Sequence, residues 1–118
     1  MSSGDGERRF DLEERTARYG ELVIEFLKRV PRDPMMNPLI SQLVRSATSI
    51  GANYCEADDA TTKKEFRYRI GICKRESRET KHWLRMIAAA APELKESARP
   101  LWTEAKELHL IFAKIFRS

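Results

Sequence analysis

The spacing of core-forming residues between Lys63 and Ala90 constrains this chain more than any other feature of its sequence. These residues recur at alternating intervals of four and three, the heptad rhythm of a helix that buries one face along its whole length. The predicted core line is Phe66, Ile70, Cys73, Ser77, Thr80, Leu84 and Ile87. Thr62 and Glu65 have the spacing of a capping box and predict the start of this helix. Pro92 predicts its end.

Three more segments carry the same rhythm, and no segment shows the alternation of a β-strand. Their core lines are Leu12, Thr16, Tyr19, Val23, Phe26 and Val30, then Leu39, Leu43, Ala47, Ile50 and Tyr54, and finally Leu101, Ala105, Leu108, Phe112 and Ile115. The first helix is expected to start at Asp11 and the fourth near Pro100. Four such helices with short connections predict an all-α, antiparallel, up-down-up-down four-helix bundle. We expect one domain over residues 11–118 after a flexible leader of residues 1–10.

Side chains that could support catalysis or hold a cofactor are few and scattered. His82 and His109 stand alone, so a metal site is not expected. Cys73 falls on a core line, where burial makes a thiol inert, and no phosphate-binding glycine loop is present. We therefore expect no enzyme, no cofactor and no metal. No apolar run approaches the ~20 residues of a membrane span. The start of the chain also lacks the apolar core of a signal peptide, so we expect a cytoplasmic protein without a membrane partner.

The positive charge of the chain is concentrated on one segment. Residues 63–91 hold 9 lysines and arginines against 3 acids, a net charge of +6, whereas the whole chain has a net charge of +4. Most of these cations fall on one flank of the predicted helix, about 100° round from its core line. The candidate nucleic-acid-binding residues are the cations of the first turn and of this flank: Lys63, Lys64, Arg67, Lys74, Arg78, Lys81 and Arg85.

Three interpretations of this basic flank are open at this point. The commonest fate of a charged flank is simply to be solvated. It can also meet an acidic flank of the next subunit, a heterologous contact that closes a ring. Finally, it can follow the backbone of RNA or DNA, because cations at repeated spacing are the electrostatic footprint of such binding. Spacing alone does not separate these interpretations, since isolated exposed ion pairs contribute only about 0–1 kcal/mol.

The two tryptophans lie beside core lines rather than on them. Trp83 shares its flank with Ile72 and Met86, and Trp102 borders the core line of the fourth helix. An apolar flank outside the core indicates a second packing surface, which here suggests self-association. The indoles can also simply widen the core stripe. We favour self-association.

The stretch from Leu39 to Ile87 carries a pattern found in a known bacterial family. The pattern is Q-L-x-R-(S/A)-A-x-S-I-x-x-N-x-x-E-(A/G), then (S/T)-K-K-x-F, then K-E-(A/S)-x-E-(T/S)-x-x-W-L. It is matched at Gln42, Leu43, Arg45, Ser46, Ala47, Ser49, Ile50, Asn53, Glu56, Ala57, Thr62, Lys63, Lys64, Phe66, Lys74, Glu79, Thr80, Trp83 and Leu84, with Glu76 shifted by one position. The chain resembles the four-helix-bundle proteins encoded in intervening sequences of 23S rRNA genes. That family is related to the accessory variability determinant of diversity-generating retroelements.

This resemblance implies a homo-oligomer, a pentameric barrel of bundles with a basic surface. For the retroelement members it also implies binding to nucleic acid and to a partner reverse transcriptase. Within the matched stretch, four polar residues share one face of the second helix: Arg45, Ser49, Asn53 and Glu56. A buried amide or carboxylate needs hydrogen-bond partners. We therefore favour a structural network between helices over a contact with RNA or a protein partner.

Two hypotheses of function follow from the sequence. The first is a non-catalytic oligomeric protein that binds RNA or DNA through the basic flank, as an accessory to an rRNA insert or a reverse transcriptase. The alternative is a structural or protein-interaction ring, in which that flank pairs with acids of the neighbouring subunit. Both place the same cations at the functional surface and differ in what those cations contact.

Overall fold

Four α-helices account for nearly all of the described chain. The computed structural model describes the backbone of residues 3–118 and the side chains of residues 11–118. The helices are α1 (Ser3–Leu27), α2 (Met36–Asp58), α3 (Lys63–Ala90) and α4 (Lys95–Arg117), with a 3₁₀ turn at Pro92–Leu94. No β-strand occurs among residues 3–118. The all-α fold predicted from the heptad rhythm is therefore confirmed.

Neighbouring helices run in opposite directions, which gives the predicted up-down-up-down bundle. In each pair, a residue further along one helix contacts a residue earlier in the other. Between α1 and α2, Thr16 contacts Gly51 and Gly20 contacts Thr48; between α2 and α3, Arg45 contacts Glu76 and Asn53 contacts Arg69. Between α3 and α4, Arg67 contacts Phe116 and Lys81 contacts Trp102; between α1 and α4, Arg15 contacts Glu104 and Tyr19 contacts Leu101. The helices follow one another around the bundle, so α3 lies between α2 and α4.

The core is built from the predicted core lines, and two residues of α3 differ from the prediction. Its fully buried apolar residues include Val23, Leu43, Ile50, Ile70, Leu84, Ile87, Leu108 and Phe112. Phe66 was predicted on the core line but is 37% exposed. It lies in the first turn of α3, beside the connection of residues 59–62 at the open end of the bundle. Glu76, which lies off the predicted core line, is buried against α2.

Buried hydroxyl groups of residues 11–118 have hydrogen-bond partners within the bundle. The hydroxyl oxygens of Ser46 on α2 and Thr80 on α3 lie 3.0 Å apart. The Tyr19 hydroxyl donates to the carbonyl oxygen of Leu101 at 2.8 Å, and burial raises the pKa of this phenol. The small side chains in the middle of α3 therefore bring α2 close without leaving a buried hydroxyl unpaired.

The ends of α3 agree with the sequence better than the start of α4. The Thr62 hydroxyl oxygen accepts a hydrogen bond from the backbone N–H of Glu65 at 3.0 Å, which is the predicted cap. α4 begins at Lys95, five residues before the expected start at Pro100. The added turn buries Ala98 against the core, so tertiary packing extends the helix through a residue that usually begins one.

α1 begins at Ser3 rather than at Asp11. The backbone of residues 3–10 is therefore helical where the sequence led us to expect a flexible leader. Residues 1–2 and the side chains of residues 3–10 lie outside the described part of the chain. The division into a leader of residues 1–10 and a domain of residues 11–118 stays a prediction.

Candidate nucleic-acid interface

The seven predicted cations line the seam between α3 and α4, and we call this set the basic edge. It consists of Lys63, Lys64, Arg67, Lys74, Arg78, Lys81 and Arg85. Contacts with α4 fix its position: the backbone carbonyl oxygen of Lys74 lies 3.0 Å from His109 Nδ1. The ammonium nitrogen of Lys81 lies 5.5 Å from the centre of the Trp102 ring. All seven side chains are exposed or half-buried.

The positive charge of the basic edge is not neutralised within the subunit. Among the described residues, no carboxylate oxygen lies within 4.0 Å of any of the seven cationic groups. Five arginines elsewhere in the described chain are paired with acids: Arg15, Arg18, Arg45, Arg69 and Arg99. Arg15 donates to Glu104 at 2.7 Å, which raises the pKa of the guanidinium, and Arg45 and Arg69 also face acids. The acids that form ion pairs among residues 11–118 therefore pair with cations outside this edge, which stays accessible to external anions.

One end of the basic edge forms a groove around the last turn of α4. Arg67 donates to the backbone carbonyl oxygen of Phe116 at 3.0 Å, and its guanidinium carbon lies 4.2 Å from the centre of the Phe116 ring. A Cβ atom at Gly71 would lie 3.0 Å from that ring, so the glycine is what lets the ring rest on α3. The groove, of about 640 Å³, also exposes Tyr68 and the cation Arg75.

The other end of the basic edge holds a smaller pocket of about 250 Å³ under Trp102. Its floor is apolar, with Leu84 and Ala98 among its lining residues. The cationic lining residues are Arg85, Lys95 and Arg99. The pocket therefore combines an apolar floor with a positively charged rim.

The α4 contribution to this surface was missed in the sequence. Lys95, Arg99, Trp102 and Lys106 recur at intervals of four, three and four, about one third of a turn from the α4 core line. This is the same flank periodicity that identified the cations of α3, and applying it to the fourth helix would have found them. Arg75, on the outer side of α3, was also missed.

The polar face of α2 lies along α3, and its Arg45 and Glu56 side chains remain exposed. Arg45 donates to both carboxylate oxygens of Glu76 at 3.2 Å and to Glu79 at 2.8 Å. The Asn53 amide oxygen accepts from Arg69 at 3.2 Å. Two further contacts complete this set: Ser49 Oγ donates to the Arg45 carbonyl oxygen at 2.6 Å, and Glu56 lies 3.9 Å from Arg69. This arrangement favours the structural interpretation of these residues, with partners on α3 that the sequence did not reveal.

Replacing Arg45 with Met should lower the free energy of unfolding by about 1.5–3 kcal/mol, because hydrogen bonds to a charged group are lost. The Glu76 side chain is only 8% exposed, so its carboxylate would be left without a cation. Urea unfolding measures the change. A second substitution, Glu76→Gln, should recover part of the loss. Arg18→Met breaks a more exposed pair, with Glu21, and should cost less than about 0.5 kcal/mol. Equal losses at Arg45 and Arg18 would contradict the prediction.

Comparison with known proteins now places the chain in a family. The sequence model of the 23S rRNA-intervening sequence protein matches residues 9–114. The chain belongs to this family. The resemblance read from the stretch between Leu39 and Ile87 is thereby confirmed. The relation to diversity-generating retroelements, and with it a reverse transcriptase partner, stays a prediction.

A solved structure shares the fold of this 23S rRNA-intervening sequence protein. It is the crystal structure of a protein of unknown function from the S23 ribosomal protein family of Bacteroides thetaiotaomicron VPI-5482. The two chains superpose with a TM-score of 0.81 at 21% identity, covering 93% of this chain and 98% of that chain. At this identity the likeness shows the fold alone. No curated protein matches the chain.

Cys73 and His82 of this family member, two side chains considered for chemistry, are both in contact with other groups of the bundle. Burial raises the pKa of the Cys73 thiol to about 12, so the sulfur stays protonated at neutral pH. His82 packs edge-on against Trp83. The side chain of Trp83 packs against the core, which agrees with the interpretation that this indole widens the core stripe of α3. Among residues 11–118, no three His, Cys, Asp or Glu side chains are grouped to hold a metal ion. No described helix is long and apolar enough to span a membrane.

Proposed function

We propose that this chain is a non-catalytic, oligomeric protein of the cytoplasm that binds RNA or DNA through the basic edge. The observation that carries the proposal is the absence of a carboxylate partner, within the described residues, for any of the seven cations. The phosphates of a nucleic-acid backbone would supply the missing negative charge. Release of their condensed counterions would drive the association.

The shape of the basic edge supports phosphate contacts along one line. α3 is uninterrupted from Lys63 to Ala90. Between Lys63 and Arg85 it rises by roughly 33 Å, at ~1.5 Å per residue. A rigid helix keeps its cations at fixed distances, so several phosphates can be contacted without first ordering a loop. Lys95 and Lys106 on α4 widen the same positive surface.

The family description favours RNA as the first nucleic acid to test. It refers to an intervening sequence of 23S rRNA and thus links the family to an RNA of the ribosome. It states no ligand, so contact with RNA is our proposal. The oligomer is also a proposal, and five subunits is the number that the family resemblance implies.

A groove between α1 and α2 favours the alternative of a structural ring. Its floor is made of small residues, among them Ala17, Gly51 and Ala52. Glu13 and Glu21 lie on its rim, and its volume is about 420 Å³. The basic edge of a second subunit could meet these acids in a heterologous contact. In that arrangement the cations would hold the oligomer together instead of binding nucleic acid.

Arg78→Glu separates the two candidates. If Arg78 contacts a phosphate, the reversal should weaken binding of an RNA oligonucleotide about tenfold or more, equivalent to roughly 1.4 kcal/mol, and leave the oligomer intact. Fluorescence anisotropy measures the affinity, and analytical ultracentrifugation measures the subunit number. The matched control is Arg32→Glu, which reverses an exposed cation in the connection between α1 and α2.

The two measurements have opposite outcomes under the two candidates. An intact oligomer with weakened RNA binding supports the proposed function. An Arg78→Glu variant that sediments as a monomer, while Arg32→Glu does not, supports the ring. Unchanged RNA affinity in an intact Arg78→Glu oligomer contradicts the placement of the phosphate contacts.

A further inference from the structure

Two solvent-exposed aromatic rings flank the basic edge, one near each end. Tyr68 is 63% exposed and lines the groove with Lys64 and Arg75. Trp102 is 37% exposed and lines the pocket at the other end, next to Arg85. Neither ring belongs to the buried core. Aromatic rings beside a row of cations are the combination used by proteins that bind single-stranded nucleic acid.

Both rings have cations close to them, beside the apolar side chains that line the same groove or pocket. The ammonium nitrogens of Lys81 and Lys106 lie 5.5 Å and 5.8 Å from the centre of the Trp102 ring. The guanidinium carbon of Arg69 lies 5.5 Å from the centre of the Tyr68 ring. A ligand that suits these rings therefore has a planar group that stacks on the ring and a negatively charged group that meets the neighbouring cations. A nucleotide combines a base that stacks with a phosphate that pairs.

We infer that the basic edge binds a single strand, whose unpaired bases stack on Tyr68 and Trp102 while its phosphates meet the cations between them. This inference rests on the proposed function and adds the class of nucleic acid. In a duplex the bases are paired and stacked on one another, so their faces are not accessible to an aromatic ring on the protein surface. Single-strand binding proteins combine a basic track with aromatic stacking in this way.

The distance between the rings fits one strand. Trp102 lies beside Lys81, which is 13 residues beyond Tyr68 on the same helix, so the two rings are separated by about 20 Å along the α3 axis at ~1.5 Å per residue. Stacked nucleotides of one strand advance by ~3.4 Å each, so the two bases would be at most about six nucleotides apart. A straight basic edge can be followed by a flexible strand over this length, whereas the backbone of a duplex winds away from it.

A protein partner fits these surfaces less well. An apolar helix or strand from a protein partner would bring few negative charges to the lysines and arginines that lie beside the two aromatic rings. Burying those cations against an uncharged partner would carry a desolvation cost without compensation. A subunit interface that buries the two aromatic rings would therefore contradict the inference.

The first experiment compares a labelled 12-nucleotide RNA of mixed sequence with the same RNA as a duplex. At low salt we expect the single strand to bind at least about tenfold more tightly, because only its bases can stack. Tyr68→Ala and Trp102→Ala should each weaken single-strand binding by about fivefold to a hundredfold, the range measured per stacked base. Duplex binding should change little. Leu22→Ala removes a comparably exposed apolar side chain from α1 and should leave both affinities unchanged.

Conservative variants keep the test decisive if an alanine variant folds poorly. Tyr68→Phe and Trp102→Phe retain a ring that stacks, so both should keep most of the single-strand affinity. The chain has 2 tryptophans. Trp83→Phe leaves Trp102 as the indole that reports on the pocket, and stacking of a base should quench its fluorescence on addition of the single strand but not of the duplex.

The outcomes distinguish failure of the inference from failure of the proposed function. If Arg78→Glu weakens binding while the aromatic variants and the strand state have no effect, phosphate binding stands and stacking is wrong. If neither RNA binds at low salt, the proposed function is wrong and the inference with it. If Tyr68→Ala or Trp102→Ala instead dissociates the oligomer in analytical ultracentrifugation, the rings belong to a subunit interface and the inference is wrong.

Discussion

Raising the salt concentration from about 50 mM to 200 mM should weaken RNA binding by about a thousandfold if all seven cations of the basic edge contact phosphates. Each contact releases counterions, and log K falls by ~0.7 per contact for each decade of salt with a single strand. Seven contacts give a slope of about −4.9, and a fourfold rise in salt is ~0.6 of a decade, hence the factor of about 10³. Fluorescence anisotropy at a series of salt concentrations measures the slope.

The slope also counts the contacts, so single variants provide an internal control. Arg78→Gln should make the slope shallower by ~0.7, the share of one phosphate contact. Arg32→Gln, which removes an exposed cation outside the basic edge, should leave it unchanged. A wild-type slope near −2 would mean that only about three cations are engaged. A slope near zero with retained affinity would exclude phosphate recognition.

The parts of the fold that could be predicted are those decided by short-range physics. The heptad rhythm places one face of a helix in the core whatever the neighbouring helix is. The cap at Thr62 is decided within a single turn, because donor and acceptor are three residues apart. The basic edge likewise follows from helical phase, since residues on one flank of α3 stay on one flank. These features needed no knowledge of the partner helices.

The parts that could not be predicted depend on which residues meet across helices. Glu76 lies on a charged flank by its phase, and its burial follows from Arg45, which is 31 residues earlier in the chain. A carboxylate tolerates burial when a guanidinium pairs with it, and sequence spacing does not reveal such a pair. The early start of α4 has the same origin, since packing of Ala98 overrides the usual position of Pro100 at a helix start.

Phe66 and Phe112 both lie on predicted core lines, so together they test how far helical phase alone decides which residues are buried. From the sequence alone, replacing either with Ala is expected to destabilise the bundle to a similar extent. In the structure, Phe112 is fully buried and its ring centre lies 6.0 Å from that of Tyr54. Phe66 is 37% exposed at the end of the bundle. The structure therefore predicts two very different costs for the same substitution.

Phe112→Ala should lower the free energy of unfolding by about 3–5 kcal/mol, because it removes a buried ring and leaves a cavity that the helices fill only in part. Phe66→Ala should change it by about 1 kcal/mol or less, since exposed positions tolerate substitution. Urea unfolding at one fixed protein concentration gives both values, because the stability of an oligomer depends on concentration. Should Phe112→Ala be too unstable to measure, Phe112→Leu removes fewer atoms and should lose less. Equal losses for the two alanine variants would mean that the first turn of α3 is covered in solution, and the groove beside it would then not be a free surface.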